Sequence, residues 1–216
     1  MDEPHCQRCG TCCRNGGPAL HSEDAVLYRD QILQKKHLLT LRRGEWVYDN
    51  VQGRVEPLEQ EILRVAGKTG SQVCIFFQDS ACACAIYARR PLECRTLNCQ
   101  APEALASLYA HERLTRFDLI AADSGLGELM TWHETVCAYS QIADVCARLR
   151  AGNDPKARQE LEAIVRKDIN ARQTLREKGA LDEQSLRFVF GRPCTETLPA
   201  FGVRVVADRE TVQFLV

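Results

Sequence analysis

The chain of 216 residues lacks the features that would place it in a membrane or on a secretory route. No run reaches the roughly 18 apolar residues that a membrane-spanning helix needs. The first residues, Met1–Cys6, carry neither the basic start nor the apolar stretch of a signal peptide. We therefore expect a cytoplasmic protein that does not associate with a membrane.

The chain also lacks an excess of charge of one sign. Its 28 Lys and Arg residues balance 29 Asp and Glu residues, giving a formal net charge of -1. A balanced surface creates no broad field that would attract nucleic acid. Nucleotide-binding motifs are missing too. Residues 67–69 resemble the end of a P-loop, but the first glycine of that motif would fall on Ile62. Residues 125–127 resemble a dinucleotide-binding motif, but its third glycine is missing. No catalytic motif is present, so whether the protein is an enzyme stays open.

Cysteine is abundant in this chain, which contains twelve of them. Thiols in a reducing compartment rarely persist as structural disulfides, so the cysteines are expected to be free or bound to metal. Metal ligation is the default interpretation of a dense group. Three stand apart, namely Cys137, Cys146 and Cys194. The other nine precede residue 100 and are Cys6, Cys9, Cys12, Cys13, Cys74, Cys82, Cys84, Cys94 and Cys99.

The spacing of the first motif, Cys6-x2-Cys9-x2-Cys12-Cys13, bears on the kind of metal. Successive two-residue gaps are closer to a ferredoxin run than to the separated pairs of structural zinc sites. Adjacent Cys12 and Cys13 do not easily serve one tetrahedral ion, and they suit two neighbouring sites or a polynuclear centre. The pattern therefore favours an iron–sulfur cluster, with zinc as the alternative.

A second group of cysteines has the pattern Cys74, then Cys84-x9-Cys94-x4-Cys99, with Cys82 as a spare. Negative charge on clustered thiolates needs nearby hydrogen-bond donors. The candidate donors are Arg8, Arg14, Arg89, Arg90 and Arg95.

The two motifs together resemble the YkgJ family of cysteine-cluster proteins, which is named for its CxxCxxCC motif. The resemblance is carried by the first motif and by Cys84-Ala85-Ile86-Tyr87-x2-Arg90-Pro91-x2-Cys94-Arg95, and it covers roughly residues 5–100. It implies a zinc- or iron-chelating domain. A further similarity to the cysteine-rich part of flagellin lysine-N-methylases points toward iron–sulfur. The eight family cysteines fall here on Cys6, Cys9, Cys12, Cys13, Cys74, Cys84, Cys94 and Cys99.

The remaining cysteines have simpler interpretations. Cys146 lies on an apolar helical stripe and is expected to be a small buried residue. His133 and Cys137 stand four residues apart on one helix, as metal pairs can, but their spacing is interpreted as coincidence. Cys194 follows Arg192-Pro193 and is predicted to be a free thiol in a loop.

The predicted fold class is α+β, mostly helical, with a cysteine-rich metal-organised N-terminal half and a small C-terminal β-hairpin. We expect one domain over 1–216, with a metal-binding region over 1–100 and a helical region over 101–216. Periodicity and capping signals predict helices and strands. The predicted helices cover 23–35, 56–66, 102–114, 128–150 and 153–179. The segment 38–48 is predicted to be a short strand pair or a turn-rich segment, 73–77 a buried extended segment, and 203–207 with 211–216 a hairpin.

Three functional hypotheses follow from these residues. The first is an iron–sulfur protein that transfers electrons to a redox partner or forms part of an oxidative or methylating enzyme. The second is a zinc-thiolate domain that is structural or binds an unknown protein partner. The third is a thiol protein that senses metal or oxidant through its cysteines. No nucleic-acid or membrane partner is expected.

Overall fold

The computed structural model describes residues 6, 8–49, 52–98, 103–109, 111–152, 154–207 and 212–215. It confirms the α+β class and the C-terminal hairpin: short helices and antiparallel strand pairs dominate the first half, and longer helices dominate the second. Within those residues, no helix has the length and apolar character required to cross a membrane.

The described elements are, in chain order, helices and strands with the following bounds. The α-helices are α1 (Thr11–Arg14), α2 (Ala25–Arg29), α3 (Leu92–Thr96), α4 (Glu103–Leu108), α5 (Arg116–Leu119), α6 (Gly125–Val136), α7 (Tyr139–Ala151), α8 (Pro155–Glu177), α9 (Glu183–Val189) and α10 (Cys194–Thr197). The strands are β1 (Leu38–Leu41), β2 (Trp46–Asp49), β3 (Arg54–Pro57), β4 (Ile62–Val65), β5 (Phe77–Gln78), β6 (Ala83–Cys84), β7 (Arg204–Ala207) and β8 (Val212–Leu215). Single 3-10 turns cover Ser22–Asp24, Lys35–His37, Tyr87–Arg89 and Leu198–Phe201.

The strands form two-stranded antiparallel pairs, and the predicted helix over 56–66 is wrong. That segment contains the end of β3 and all of β4. In β4 the buried residues Leu63 and Val65 alternate with half-buried neighbours, which is the period of two that a strand requires. β4 pairs with β1 and β3 pairs with β2, so the two strands that begin in the segment 38–48 pair with later strands and not with each other.

The helix predicted over 128–150 is two helices, α6 and α7, separated at Cys137 and Ala138. The carbonyl of Cys137 would accept from the amide of residue 141 in an uninterrupted helix. It accepts instead from Arg42 Nη2 at 2.5 Å. Ala138 is extended, with φ -60° and ψ 129°, so the chain changes direction before α7 begins.

Other helix predictions succeed where local capping signals are strong. α8 begins as expected at Pro155, and the Asp154 side chain accepts from the amide of Ala157 at 3.0 Å. The helices predicted over 23–35 and 102–114 are shorter than expected, because α2 ends at Arg29 and α4 ends at Leu108. The hairpin of β7 and β8 matches its prediction in the described residues.

Two hydrophobic cores hold these elements together. The C-terminal core packs α7, α8, α10 and the hairpin around residues such as Ile142, Leu161 and Phe214. The shared core joins both halves of the chain, because Phe188 and Phe190 at α9 pack with Leu63 and other residues of the first half. Its buried members are Leu20, Leu27, Leu33, Leu38, Leu63, Val65, Cys74, Phe77, Leu114, Met130, Leu186, Phe188, Val189 and Phe190. The N-terminal strands therefore rest on helices from the C-terminal half.

A network of ion pairs around two fully buried arginines links α5, α6 and the loop after β1. Arg116 is fully buried and pairs with Glu61 at 2.6 Å and with Glu134 at 2.5 Å. Glu134 also pairs with Arg42 at 2.9 Å. Buried charges persist only when they are paired and hydrogen-bonded, so this network fixes how α5, α6 and the loop after β1 sit together.

The network continues through His133 to α8. Arg42 donates to His133 Nδ1 at 3.2 Å, and because a guanidinium can only donate, Nδ1 is the acceptor and Nε2 carries the proton. His133 Nε2 then donates to Asp168 Oδ1 at 2.8 Å. Asp168 also accepts from Arg172 Nε at 2.8 Å and from the amide of Cys194 at 2.9 Å.

Candidate metal centre

The first cysteine motif surrounds the short helix α1. Gly10 precedes this helix with φ 78°, and its carbonyl accepts from the amide of Arg14 at 2.9 Å. A Cβ at Gly10 would lie 2.5 Å from the ring of Phe77, so only glycine allows the turn to approach β5 this closely. Cys12 and Cys13 are consecutive in α1, and successive helical side chains point about 100° apart.

Backbone hydrogen bonds join the second cysteine group to the first. The amide of Cys74 donates to the carbonyl of Cys13 at 2.7 Å. Cys84 lies opposite Phe77 in the β5–β6 pair, so the hairpin returns Cys84 to the same region as Cys74. The Cys82 thiol contacts the carbonyl of Arg8 at 3.1 Å. These contacts place residues from 8–13 against residues from 74–84.

Helix α3 carries Cys94 to the same place. It begins after Pro91, and the amide of Leu92 donates to Asp24 Oδ1 at 2.8 Å, which anchors the first turn. Glu93 accepts from the amide of Ala19 at 2.8 Å, so α3 is also attached to the strand-like segment after α1.

The three segments enclose a cleft of about 550 Å³, which we call the thiol pocket. Seven of the eight cysteines expected to bind metal lie on its wall, and Cys99 is outside the described residues. The cysteines lining the pocket are Cys6, Cys9, Cys12, Cys13, Cys74, Cys82, Cys84 and Cys94. Among the described side chains, no three of His, Cys, Asp or Glu are close enough to hold one metal ion, so the cysteines share a cleft without forming a closed coordination shell.

Burial and crowding disfavour charge on the inner thiols. The pKa of Cys13 is raised to about 12 by burial and by the neighbouring thiols of Cys12, Cys74 and Cys84. Burial and the same neighbours raise the pKa of Cys94 well above its usual value. Burial likewise raises the pKa of Cys74 and of Cys84. Without a cation, these thiols are protonated at neutral pH.

Cys9 differs from the inner thiols because it is exposed. Its side chain contacts the Thr11 hydroxyl at 3.5 Å, and hydrogen bonds from Thr11 lower the pKa of the Cys9 thiol. The thiolate form is therefore more accessible at the mouth of the pocket than at its base.

Two of the five arginines proposed as donors line the thiol pocket, and the other three form ion pairs with carboxylates. Arg89 pairs with Asp30, Arg95 with Glu23, and Arg14 with Asp79. The guanidinium groups of Arg8 and Arg90 both lie over the ring of Tyr87, at 4.3 Å and 3.7 Å from its centre. Arg90 Nε is buried without a hydrogen-bond acceptor among the described residues, and the positive charge of Arg90 favours the thiolate of Cys84.

Sequence reasoning missed other residues of the pocket wall. Arg64 lines it and donates to the carbonyl of Gly17 at 2.7 Å. A Cβ at Gly17 would lie 2.3 Å from the carbonyl oxygen of Val65. The glycines after the first motif indicated a loop, but nothing in the sequence showed that β4 would be its neighbour.

The three separate cysteines lie in the C-terminal core and do not line the pocket. Cys146 is fully buried, as predicted. Cys194 is a free cysteine, as predicted, but it does not lie in a loop, because it begins α10 and is 1% exposed.

The family model described as "CxxCxxCC: Putative zinc- or iron-chelating domain" matches residues 5–138. The match confirms the resemblance read from the cysteine motifs and extends it beyond residue 100 through α6. No curated protein and no solved structure matches the chain.

Proposed function

We propose that this chain, which belongs to the CxxCxxCC family of zinc- or iron-chelating domains, holds an iron–sulfur cluster on the cysteines of the thiol pocket. Membership supports metal binding as such. The proposal adds the kind of centre and the residues that hold it. Such a cluster, when bound, would exchange single electrons with a redox partner.

The proposed ligands are drawn from the eight cysteines of the family pattern. The observation that carries the proposal is their convergence, because thiols from 6–13, from 74–84 and from α3 line one cleft. Unrelated reduced cysteines would have no reason to meet after such separations in the sequence. The ligand set is Cys6, Cys9, Cys12, Cys13, Cys74, Cys84, Cys94 and Cys99.

The chemistry of the pocket fits a thiolate-bound centre in two respects. Its thiols are soft ligands that suit iron–sulfur clusters or zinc. They also raise one another's pKa, so a bound cation would remove a repulsion that the free thiolates would suffer. Arg90 Nε supports the same interpretation, because it is a buried donor without an acceptor among the described residues and a thiolate or sulfide would provide one.

The position of the cysteine doublet favours a polynuclear centre over a single zinc ion. Cys12 and Cys13 both belong to α1, where neighbouring side chains diverge by about 100°. One tetrahedral ion with bonds near 2.3 Å draws its sulfurs close together, which consecutive helical residues do not readily allow. The thiolates of a cluster bind separate iron atoms, so their sulfurs can be further apart.

Ligand substitution tests the proposal directly. We expect Cys94→Ser and Cys9→Ser to lose iron and labile sulfide in protein purified without oxygen, because a serine oxygen is a poor ligand for this centre. Cys9 is exposed, so its replacement disturbs no packing and separates ligand loss from misfolding. Cys146→Ser is the matched control outside the pocket and should keep its metal. Full metal occupancy in both pocket variants would refute the assignment.

A further inference from the structure

Two arginines on the wall of the thiol pocket, Arg8 and Arg90, have side chains without an acceptor among the described residues. No carboxylate of those residues forms an ion pair with either side chain, and the buried Nε of Arg90 has no hydrogen-bond partner there. The three nearby arginines that lie outside the pocket wall each pair with a carboxylate. Arg64 in the wall donates to the carbonyl of Gly17. Arg8 and Arg90 are thus the wall arginines whose guanidinium groups remain available to a ligand.

Tyr87 holds both guanidinium groups in place. The guanidinium carbon of Arg8 lies 4.3 Å from the centre of the Tyr87 ring, and that of Arg90 lies 3.7 Å from it. Stacking on an aromatic ring is favourable for a guanidinium and leaves the N–H donors at its edge unused. Both cations are therefore positioned before any ligand arrives. Because they share one ring, the two like charges repel each other until an anion lies near both.

The thiol pocket has the size and lining of a small-molecule site. Its volume of about 550 Å³ falls within the range of roughly 300–1,000 Å³ that is usual for such sites. The apolar side chains of Ile86 and Leu97 line the same cleft as the two arginines. Arg8 is exposed and Arg90 is half-buried, so the two cations extend from the mouth of the pocket into its wall. An apolar wall with a few convergent polar groups is the usual lining of a ligand site.

We propose that Arg8 and Arg90 form a binding site for the oxyanion group of a small molecule, a carboxylate or a phosphate, at the mouth of the thiol pocket. Guanidinium groups recognise both kinds of oxyanion through parallel N–H donors. The buried Nε of Arg90 favours a small molecule over an acidic side chain of a partner protein, because a protein surface reaches a buried atom less easily. The inference rests on the proposed function only in placing this molecule beside a metal centre.

The proposed oxyanion site adjoins thiols from both cysteine groups. Arg8 lies between Cys6 and Cys9 in the sequence, and its carbonyl accepts from the Cys82 thiol at 3.1 Å. Arg90 belongs to the segment that joins Cys84 to α3. A molecule bound by the two arginines would therefore lie next to the thiols that are proposed to hold the metal centre.

Arginine footprinting of the full-length protein, in the state in which it is purified, tests the site. Phenylglyoxal modifies accessible arginines, and mass spectrometry of the peptides measures the rate at each position with inorganic phosphate, with succinate, or with sodium chloride at the same ionic strength. At ten times its dissociation constant, a bound anion should slow modification of Arg8 and Arg90 roughly tenfold. Arg89 is the internal control, because it is 48% exposed and paired with Asp30, and its rate should not change. Protection by phosphate alone or by succinate alone would assign the oxyanion to a phosphate or to a carboxylate.

Two variants and a metal analysis of the same samples complete the test. In Arg8→Gln the anion should no longer protect Arg90, whereas in Arg89→Gln the protection should be unchanged. The proposal is overturned if neither anion slows the modification of Arg8 and Arg90 more than that of Arg89. The two proposals fail separately: protection in protein that binds no metal would refute the metal centre alone, and metal-containing protein without protection would refute the oxyanion site alone.

Discussion

Replacing Asp168 should destabilise the fold, because its buried carboxylate is the acceptor for several buried donors. Its carboxylate is 1% exposed and accepts hydrogen bonds from His133, from Arg172 and from the amide of Cys194. Asp168→Ala would leave these three donors without their acceptor, and Arg172 would keep a positive charge in a site that is largely closed to water. Removing one partner of a buried ion pair costs about 3–5 kcal/mol.

The same helix offers a matched control. Glu162 and Arg166 form an ion pair in α8 with the same four-residue spacing as Asp168 and Arg172, and both pairs have a distance of 2.8 Å. The side chains of the Glu162 pair are 36% and 37% exposed, so water and salt screen it. We expect Glu162→Ala to cost below about 0.5 kcal/mol.

Urea unfolding followed by tryptophan fluorescence measures both variants at the same metal content. The expected result is a large loss of unfolding free energy for Asp168→Ala and almost none for Glu162→Ala. Equal losses would refute the reasoning, because the two pairs differ mainly in burial.

The stability that Asp168 provides should also depend on pH. Burial alone would raise the pKa of Asp168, but Arg172, His133 and the amide of Cys194 outweigh it and hold the pKa well below its usual range. A carboxyl group with a depressed folded-state pKa stabilises the fold fully above its unfolded pKa, near 3.9. This contribution is lost as the pH falls below that value, so the difference between the natural protein and Asp168→Ala should narrow in acid.

Three further predictions concern the thiol pocket. Arg90→Gln should weaken metal binding, because the positive charge of Arg90 favours the thiolate of Cys84. Arg89→Gln should have little effect, because Arg89 forms an ion pair with Asp30 instead. Competition with a chelator compares the metal affinity of the two variants. Gly17→Ala should lower the free energy of unfolding by about 1–3 kcal/mol, because the new methyl group would clash with the backbone of Val65. Gly125→Ala should be tolerated, because a Cβ there meets nothing within 4 Å. Thermal unfolding compares the two variants. Metal binding should release protons near pH 7, because the inner thiols are protonated in the free protein. Proton release is measured in weakly buffered solution during metal addition. The absence of proton release would contradict the raised pKa values of the inner thiols.

The first cysteine motif could be predicted because its residues are close together in the sequence. The gaps between Cys6, Cys9 and Cys12 are short enough that the sequence alone indicates shared chemistry. Helix α8 was predictable for the same reason, since Asp154 and Pro155 are a cap and a first-turn residue that act without help from the rest of the chain. The terminal hairpin likewise follows from two short apolar runs around a polar turn.

The errors arose where a distant partner decides the structure. The segment 56–66 carries an apolar pattern compatible with either helix or strand, and its pairing with β1 makes it extended. The break between α6 and α7 has no glycine or proline to announce it, and it depends on Arg42, which supplies a donor to the carbonyl of Cys137. No spacing rule relates those positions.

The wall of the thiol pocket was only partly predictable for a similar reason. The positions of the arginines relative to the thiols depend on where their carboxylate partners lie. Arg89 pairs with Asp30 and Arg95 pairs with Glu23, so neither lines the pocket.

Metal and labile-sulfide analysis, with an absorption spectrum, of full-length protein purified without oxygen or chelator tests the central claim most directly. We expect iron with a matching amount of labile sulfide and absorbance near 400 nm, and the iron count would show whether the cysteines hold one centre or two. Zinc without iron or sulfide would contradict the iron–sulfur proposal and would assign the thiol pocket to a structural zinc-thiolate centre.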